Sequence, residues 1–286
     1  MTEAAYHLFE PDRLATSVIF ASPHSGRAYP MPFRLSSVLD GQAIRTSEDA
    51  FVDELLMGVT ESGAPLLCAN VPRAFIDLNR GADELDPAVI EGARSFAHNP
   101  RIASGLGVIP RVVSGGRAIY RGKIPMEEAR RRIRDYWMPY HDQLQHLISR
   151  AREEFGEAIL IDVHSMPHEA MDSIAARPGY RPEIVIGDRY GASASGEIVE
   201  QVEDAFRRHG FRLSRNLPFA GAYIAQAYGR PSNSQHAVQI EIDRSLYMDE
   251  RTIARSAGFV EFRSRLSLVL AEIAAIGSQK LKMAAE

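Results

Sequence analysis

Three apolar runs, each ending in a residue able to do chemistry, predict an α/β fold. They are SVIFASPHSG at residues 17–26, AILIDVHSMP at 158–167 and AVQIEIDRS at 237–245. Between them lie stretches with apolar residues at helical spacing, so strands and helices alternate along the chain. Size is the third observation: 286 residues, 45% hydrophobic and 24% charged, suffice for one large core. No linker, repeat or low-complexity tract divides them, so a single domain over residues 1–286 is expected.

Residues 158–167 organise the rest. Ala158 to Ile161 read as a short buried strand, with Asp162, Val163 and His164 behind them and Pro167 as the stop. Asp162 and His164 are two apart, so a carboxylate and an imidazole share one face of the strand. Open α/β sheets bind their ligands at this C-terminal edge.

In chain order, residues 17–22 are β-branched and aromatic, and the Pro-His-Ser-Gly behind them is turn chemistry, which puts His24 on a loop at a strand end. Taken alone, such a histidine is more simply explained by a hydrogen bond within its turn. Phe51, Val52, Leu55, Leu56 and Val59 predict a helix closed by Gly63. Asp49, with Glu48 beside it, opens that helix, and capping accounts for both carboxylates unless other ligands gather nearby. Residues 66–71 and 73–77 read as strands leading into DLNR at 77–80. There Asn79 and the rigid donor fork of Arg80 match a substrate carboxylate, a surface turn being the alternative. Residues 81–123 are irregular and rich in Gly, Pro and Ser, as loops around a site are. They carry Arg111, Arg117, Tyr120 and Arg121, either an anion-recognising set or a solvated basic face.

Residues 126–155 read as one long helix or two, with Pro139 imposing a kink or break. Arg130, Arg131, Arg132 and Arg134 are expected on its outer face. A strand over 183–187, a helix over 193–209 and a short strand over 211–213 follow. Residues 216–229, which include Tyr223, look like a loop or an edge hairpin. In the strand at 237–242, Glu241 is a carboxylate between two isoleucines. Burying such a charge is costly, so Glu241 is expected to be paired or to work. An amphipathic helix over 251–276 closes the chain.

Composition removes several function classes. A formal charge of -4 offers no basic surplus for phosphates, so no nucleic-acid partner is expected. Cys68 is the only cysteine, which excludes an internal disulfide and a thiolate metal cluster. No run approaches the length of a membrane span and the first residues lack a signal pattern, so a cytoplasmic protein without a membrane partner is expected. Composition sets no oligomeric state.

Two histidines on separate strand ends and one carboxylate make a three-ligand site with an open position, the arrangement used by hydrolytic zinc. A further carboxylate must then move the proton, and Glu241 is placed for it. The set SPHSG (22–26), DLNR (77–80), YH (140–141), DVHSMP (162–167) and QIEIDRSLYMDE (239–250) resembles the N-formylglutamate amidohydrolase family, in order and over most of the chain. The resemblance implies a phosphorylase/hydrolase-like fold with a mixed central sheet flanked by helices, akin to zinc carboxypeptidases. It also implies hydrolysis of N-formyl-L-glutamate to formate and L-glutamate in histidine breakdown, with a zinc-activated water as nucleophile. Carried over by position, His24, Asp49 and His164 are implied as ligands of Zn2+, another divalent ion being the alternative, and Glu48 is the rival to Asp49. Glu241 is implied as general base, Asn79, Arg80, Arg117 and Tyr223 as substrate contacts, and a small N-acyl amino acid as partner. A deacylase or carboxypeptidase-like hydrolase for another N-acyl amino acid or peptide is the alternative.

Overall fold

The apolar runs form strands and the helically spaced stretches form helices in a computed structural model that describes residues 4–94, 99–172 and 181–284. Residues 95–98 of the irregular stretch expected at 81–123 lie outside that description. Among the described residues the strands are β1 (Tyr6–Phe9), β2 (Val18–Ser22), β3 (Leu66–Ala69), β4 (Val112–Val113), β5 (Arg117–Ala118), β6 (Ala158–Met166), β7 (Ile184–Gly187), β8 (Leu213–Arg215), β9 (Gln235–Asp243), β10 (Met248–Asp249) and β11 (Ala254–Arg255). Seven form one sheet in the order β1, β3, β2, β6, β9, β7, β8, and the others pair as two short ribbons. β6 runs parallel to β2 and β9, whereas β7 runs antiparallel to β9 and parallel to β8. The fold is mixed α/β, with a central mixed sheet flanked by helices.

By internal contacts the chain forms two compact units. One comprises Met1–His7, Pro23–Ala50 and Cys68–Gln143, and the other Leu8–Ser22, Phe51–Leu67 and Leu144–Glu286. In the second unit every residue of β2, β6, β7 and β9 is buried, as expected of strands covered on both faces. The Gly196–Arg208 helix, its Ser195 cap accepting from the Ile198 N–H, buries Ile198, Val199, Val202 and Phe206. Phe211 joins it edge-on to Phe262 of the Phe259–Ala284 helix through rings 5.6 and 6.1 Å apart.

The first unit is built around an arginine. Arg132 is buried with its guanidinium 4.2 Å from the Phe75 ring centroid, and it donates to the Phe75 carbonyl, the Tyr120 hydroxyl and Glu128. The outer-face expectation fails for this one of the four arginines, because an aromatic cage and three acceptors repay its desolvation.

Four other expectations change. Residues 73–77 form a turn, with the Phe75 and Ile76 N–H groups bonded to the Pro72 carbonyl, where a strand was expected. The helix after Asp49 starts only at Val52, behind a left-handed Phe51 with φ 66°, and tightens to 3-10 geometry over Met57–Ser62. The stretch at 216–229 contains a helix, Tyr223–Tyr228. The closing helix expected from residue 251 starts at Phe259, behind the Ala254–Arg255 strand. Of the two readings of 126–155, one long helical run holds, with its irregularity a π segment at Ile133–Trp137 closed by a Met138 to Ile133 bond just before Pro139.

Candidate metal centre and active site

β6 and β9 place the polar groups of the second unit. Their parallel register sets Asp162 opposite Gln239 and His164 opposite Glu241. Register partners in a ladder point to the same face, so all four side chains rise together from buried strands. Asp162 Oδ2 lies 3.0 Å from His164 Nε2. A carboxylate there holds the proton on Nε2 and leaves the imidazole lone pair on Nδ1. Gln239 Nε2 donates to Glu241 Oε1 at 2.9 Å, which supplies the pairing that a carboxylate between two isoleucines requires. Tyr223 opens the Tyr223–Tyr228 helix of the same unit.

The first unit repeats the carboxylate-histidine pairing. His24 sits in a turn two residues beyond β2, and its Nε2 lies 2.7 Å from Asp77 Oδ1. Asp77 is fully buried, accepts from Arg73 Nε at 2.9 Å and from the Asn79 N–H at 2.9 Å. Burial alone would raise its pKa, but the charges of Arg73, His24 and Arg80 outweigh burial and hold the carboxyl well below the usual range. The Asp49 N–H donates to the His24 carbonyl, and Asp49 Oδ2 is 3.5 Å from His24 Nδ1. Glu48 faces other partners: Arg45 binds it through Nε and Nη2, and the Tyr29 hydroxyl donates to it. Burial and the Glu48 charge push the Tyr29 pKa up, so the hydroxyl stays a donor. Gly26 allows the turn to close, since a Cβ there would lie 2.1 Å from the Val71 carbonyl oxygen.

Asn79 and Arg80 are both buried, and backbone carbonyls fix the arginine: Nε donates to Leu106 O and Nη1 to Asn79 O, each at 2.9 Å. Burial lowers the Arg80 pKa, opposed chiefly by Asp77. Trp137 Nε1 donates to the Arg80 carbonyl. Arg117 lies exposed on β5 and donates to Thr46 Oγ1 at 2.9 Å, three residues before Asp49.

His24, Asp49 and His164 each offer one ligand atom, all within 4.8 Å of one another, and all three residues are buried. They form a His-Asp-His group that could bind a metal ion. The donor set fits a borderline divalent cation such as zinc, for which imidazole nitrogens and a carboxylate at bond lengths near 2 Å are ordinary ligands.

A model of the N-formylglutamate amidohydrolase family matches residues 16–248, a span that includes every candidate ligand, base and substrate contact. The chain belongs to the N-formylglutamate amidohydrolase family. A crystal structure of N-formylglutamate amidohydrolase from Ralstonia eutropha is 34% identical and superposes with a TM-score of 0.90, covering 97% of this chain and 99% of that one. N-formylglutamate deformylase of Pseudomonas aeruginosa is 29% identical over 237 residues, 82% of this chain and 83% of the relative. The enzyme of the same name from Pseudomonas putida is 29% identical over 240 residues, 82% of each chain.

Reading motifs alone missed the supporting residues of this family member. Asp77 stands inside DLNR and Gln239 two residues before Glu241. The period-2 spacing of Gln239 and Glu241 was the available signal for one face. Nothing local in the sequence ties Asp77 to His24, 53 positions away.

Proposed function

We propose that the protein hydrolyses the amide of N-formyl-L-glutamate to formate and L-glutamate, a step of histidine degradation, with residues 1–286 acting as one amidohydrolase-like domain. The buried His24, Asp49 and His164 group, in a chain of this family, is the observation that carries the reading. We assign these three residues to a zinc ion, with Asp77 and Asp162 holding the two imidazoles through their Nε2 atoms. When bound, the ion polarises the formyl carbonyl and makes water acidic enough to react near neutral pH.

Asn79, Arg80, Arg117 and Tyr223 bind the glutamate part of the substrate, Arg80 through a guanidinium that its backbone contacts have already oriented. Glu241 takes a proton from the attacking water as the oxygen-carbon bond forms. As the carbon-nitrogen bond breaks, Glu241 returns that proton to the leaving nitrogen. Formate and the free amino acid result.

The test is formate release from N-formyl-L-glutamate by metal-analysed protein, before chelation, after it and after zinc is restored. Activity is expected to stop and return. Glu241→Gln is expected to retain metal and lose at least 100-fold in kcat. Zinc-loaded, folded protein that releases no formate would refute the reading.

A further inference from the structure

Gln239 sits between the candidate base and a loop, and both ends of its amide are committed. The Ala222 N–H donates to Gln239 Oε1 at 2.9 Å, and Gln239 Nε2 donates to Glu241 Oε1 at 2.9 Å. A backbone N–H can only donate, so the oxygen of the amide must face Ala222 and its NH2 must face the carboxylate. The side chain is 3% exposed and comes from a strand flanked on both sides.

The loop end of this link is also fixed. Gly187 on β7 is the register partner of Gln239, and a Cβ there would lie 2.7 Å from the Ala220 carbonyl carbon. The loop backbone therefore lies directly on the sheet, where the Arg189 N–H also donates to the Ala220 carbonyl at 2.7 Å. Asn216 closes the other side: its Oδ1 accepts from the Asp188 N–H and its Nδ2 donates to Asp188.

We propose that Gln239 is the positioning residue of Glu241. An amide donor on Oε1 holds that oxygen in one orientation and disfavours a proton on it, because a proton there would meet another donor. The same amide fixes Glu241 to the peptide at Ala222, next to Tyr223, so the base and the start of that helix are aligned through one side chain. This inference rests on Glu241 being the base.

Two variants test it. Gln239→Met keeps the volume and removes donor and acceptor, whereas Gln239→Glu keeps the acceptor for the Ala222 N–H and replaces the donor with a second carboxyl group. Both are expected to lower kcat by about 10- to 100-fold with KM within about twofold of wild type and metal content unchanged. If Gln239→Met fails to fold, the Glu variant alone decides. A structural role would instead lower Tm and metal content while leaving the kcat of folded, zinc-loaded enzyme intact, which would overturn the proposal. Unchanged kcat in both variants with an inactive Glu241→Gln would also overturn it while leaving Glu241 the base. An active Glu241→Gln would remove the reading on which it rests.

Discussion

Asp77 shows how much one buried side chain can hold. Oδ1 serves His24 and the Asn79 N–H, and Oδ2 serves Arg73, so one carboxylate orients a candidate metal ligand and shapes the turn before Arg80. Asp77→Asn removes the charge and keeps the shape. It is expected to weaken metal affinity about 10- to 100-fold, read by competition with a chelating dye. Its pH behaviour follows from the depressed pKa. A carboxyl held below its unfolded value contributes stability that is fully present above about pH 4 and is lost as pH falls through the folded value. The Tm gap between wild type and Asp77→Asn should stay level from pH 8 to about 5 and close below about 4. A gap that closed by pH 6 would contradict the assignment.

At the scale of elements, the helical run from Met126 to Phe155 supports the first unit through two buried polar side chains, His141 and Arg132. His141 is stacked on Trp137 with ring centroids 4.0 Å apart, and its Nε2 lies 2.9 Å from the Leu78 carbonyl, just before Asn79 and Arg80. Burial lowers its pKa to about 4, with the Leu78 bond opposing, so the ring is neutral in the folded protein. A histidine depressed in this way stabilises fully above its unfolded value of 6.5, and the contribution falls as pH drops toward the folded value. The span from 6.5 to about 4 corresponds to roughly 3 kcal/mol. Urea titrations between pH 7 and 4 should show that loss in wild type and much less of it in His141→Gln. Arg132→Met keeps most of the volume but leaves the Phe75 carbonyl and the Tyr120 hydroxyl without their donor. It should cost about 2–3 kcal/mol in the same measurement at pH 7.

For the molecule as a whole, metal and substrate are the remaining levers. Binding to the folded state alone stabilises it by mass action. Chelation is therefore expected to lower Tm, and one equivalent of zinc to restore it, with His164→Ala insensitive to both. Selectivity is decided by the volume left for the acyl group, since each methylene misfit is worth only about 1–3 kcal/mol. Formyl-, acetyl- and succinyl-glutamate compared at equal enzyme should show formate release fastest by at least 10-fold. Faster release of acetate or succinate would assign the site to another N-acyl amino acid. No helix among the described residues is long and apolar enough to cross a membrane.

The sequence by itself determined the α/β class, the strands that lead to His24 and carry His164 and Glu241, and the order of the family's motifs. Those features are local: period-2 and helical spacing, turn residues behind apolar runs, and short strings of residue types. Only the tertiary structure decided which carboxylate stands with the histidines. Glu48 and Asp49 are neighbours with the same chemistry, and the choice depends on where Arg45, Tyr29 and the His24 backbone lie. It also decided that Arg132 is a buried cation while its neighbours are solvated, because an aromatic cage is assembled from residues 33, 75 and 120. The roles of Asp77 and Gln239 belong to the same class. Each acts through a partner brought close by strand register or chain reversal, and contacts between distant residues carry no periodic signal in one sequence.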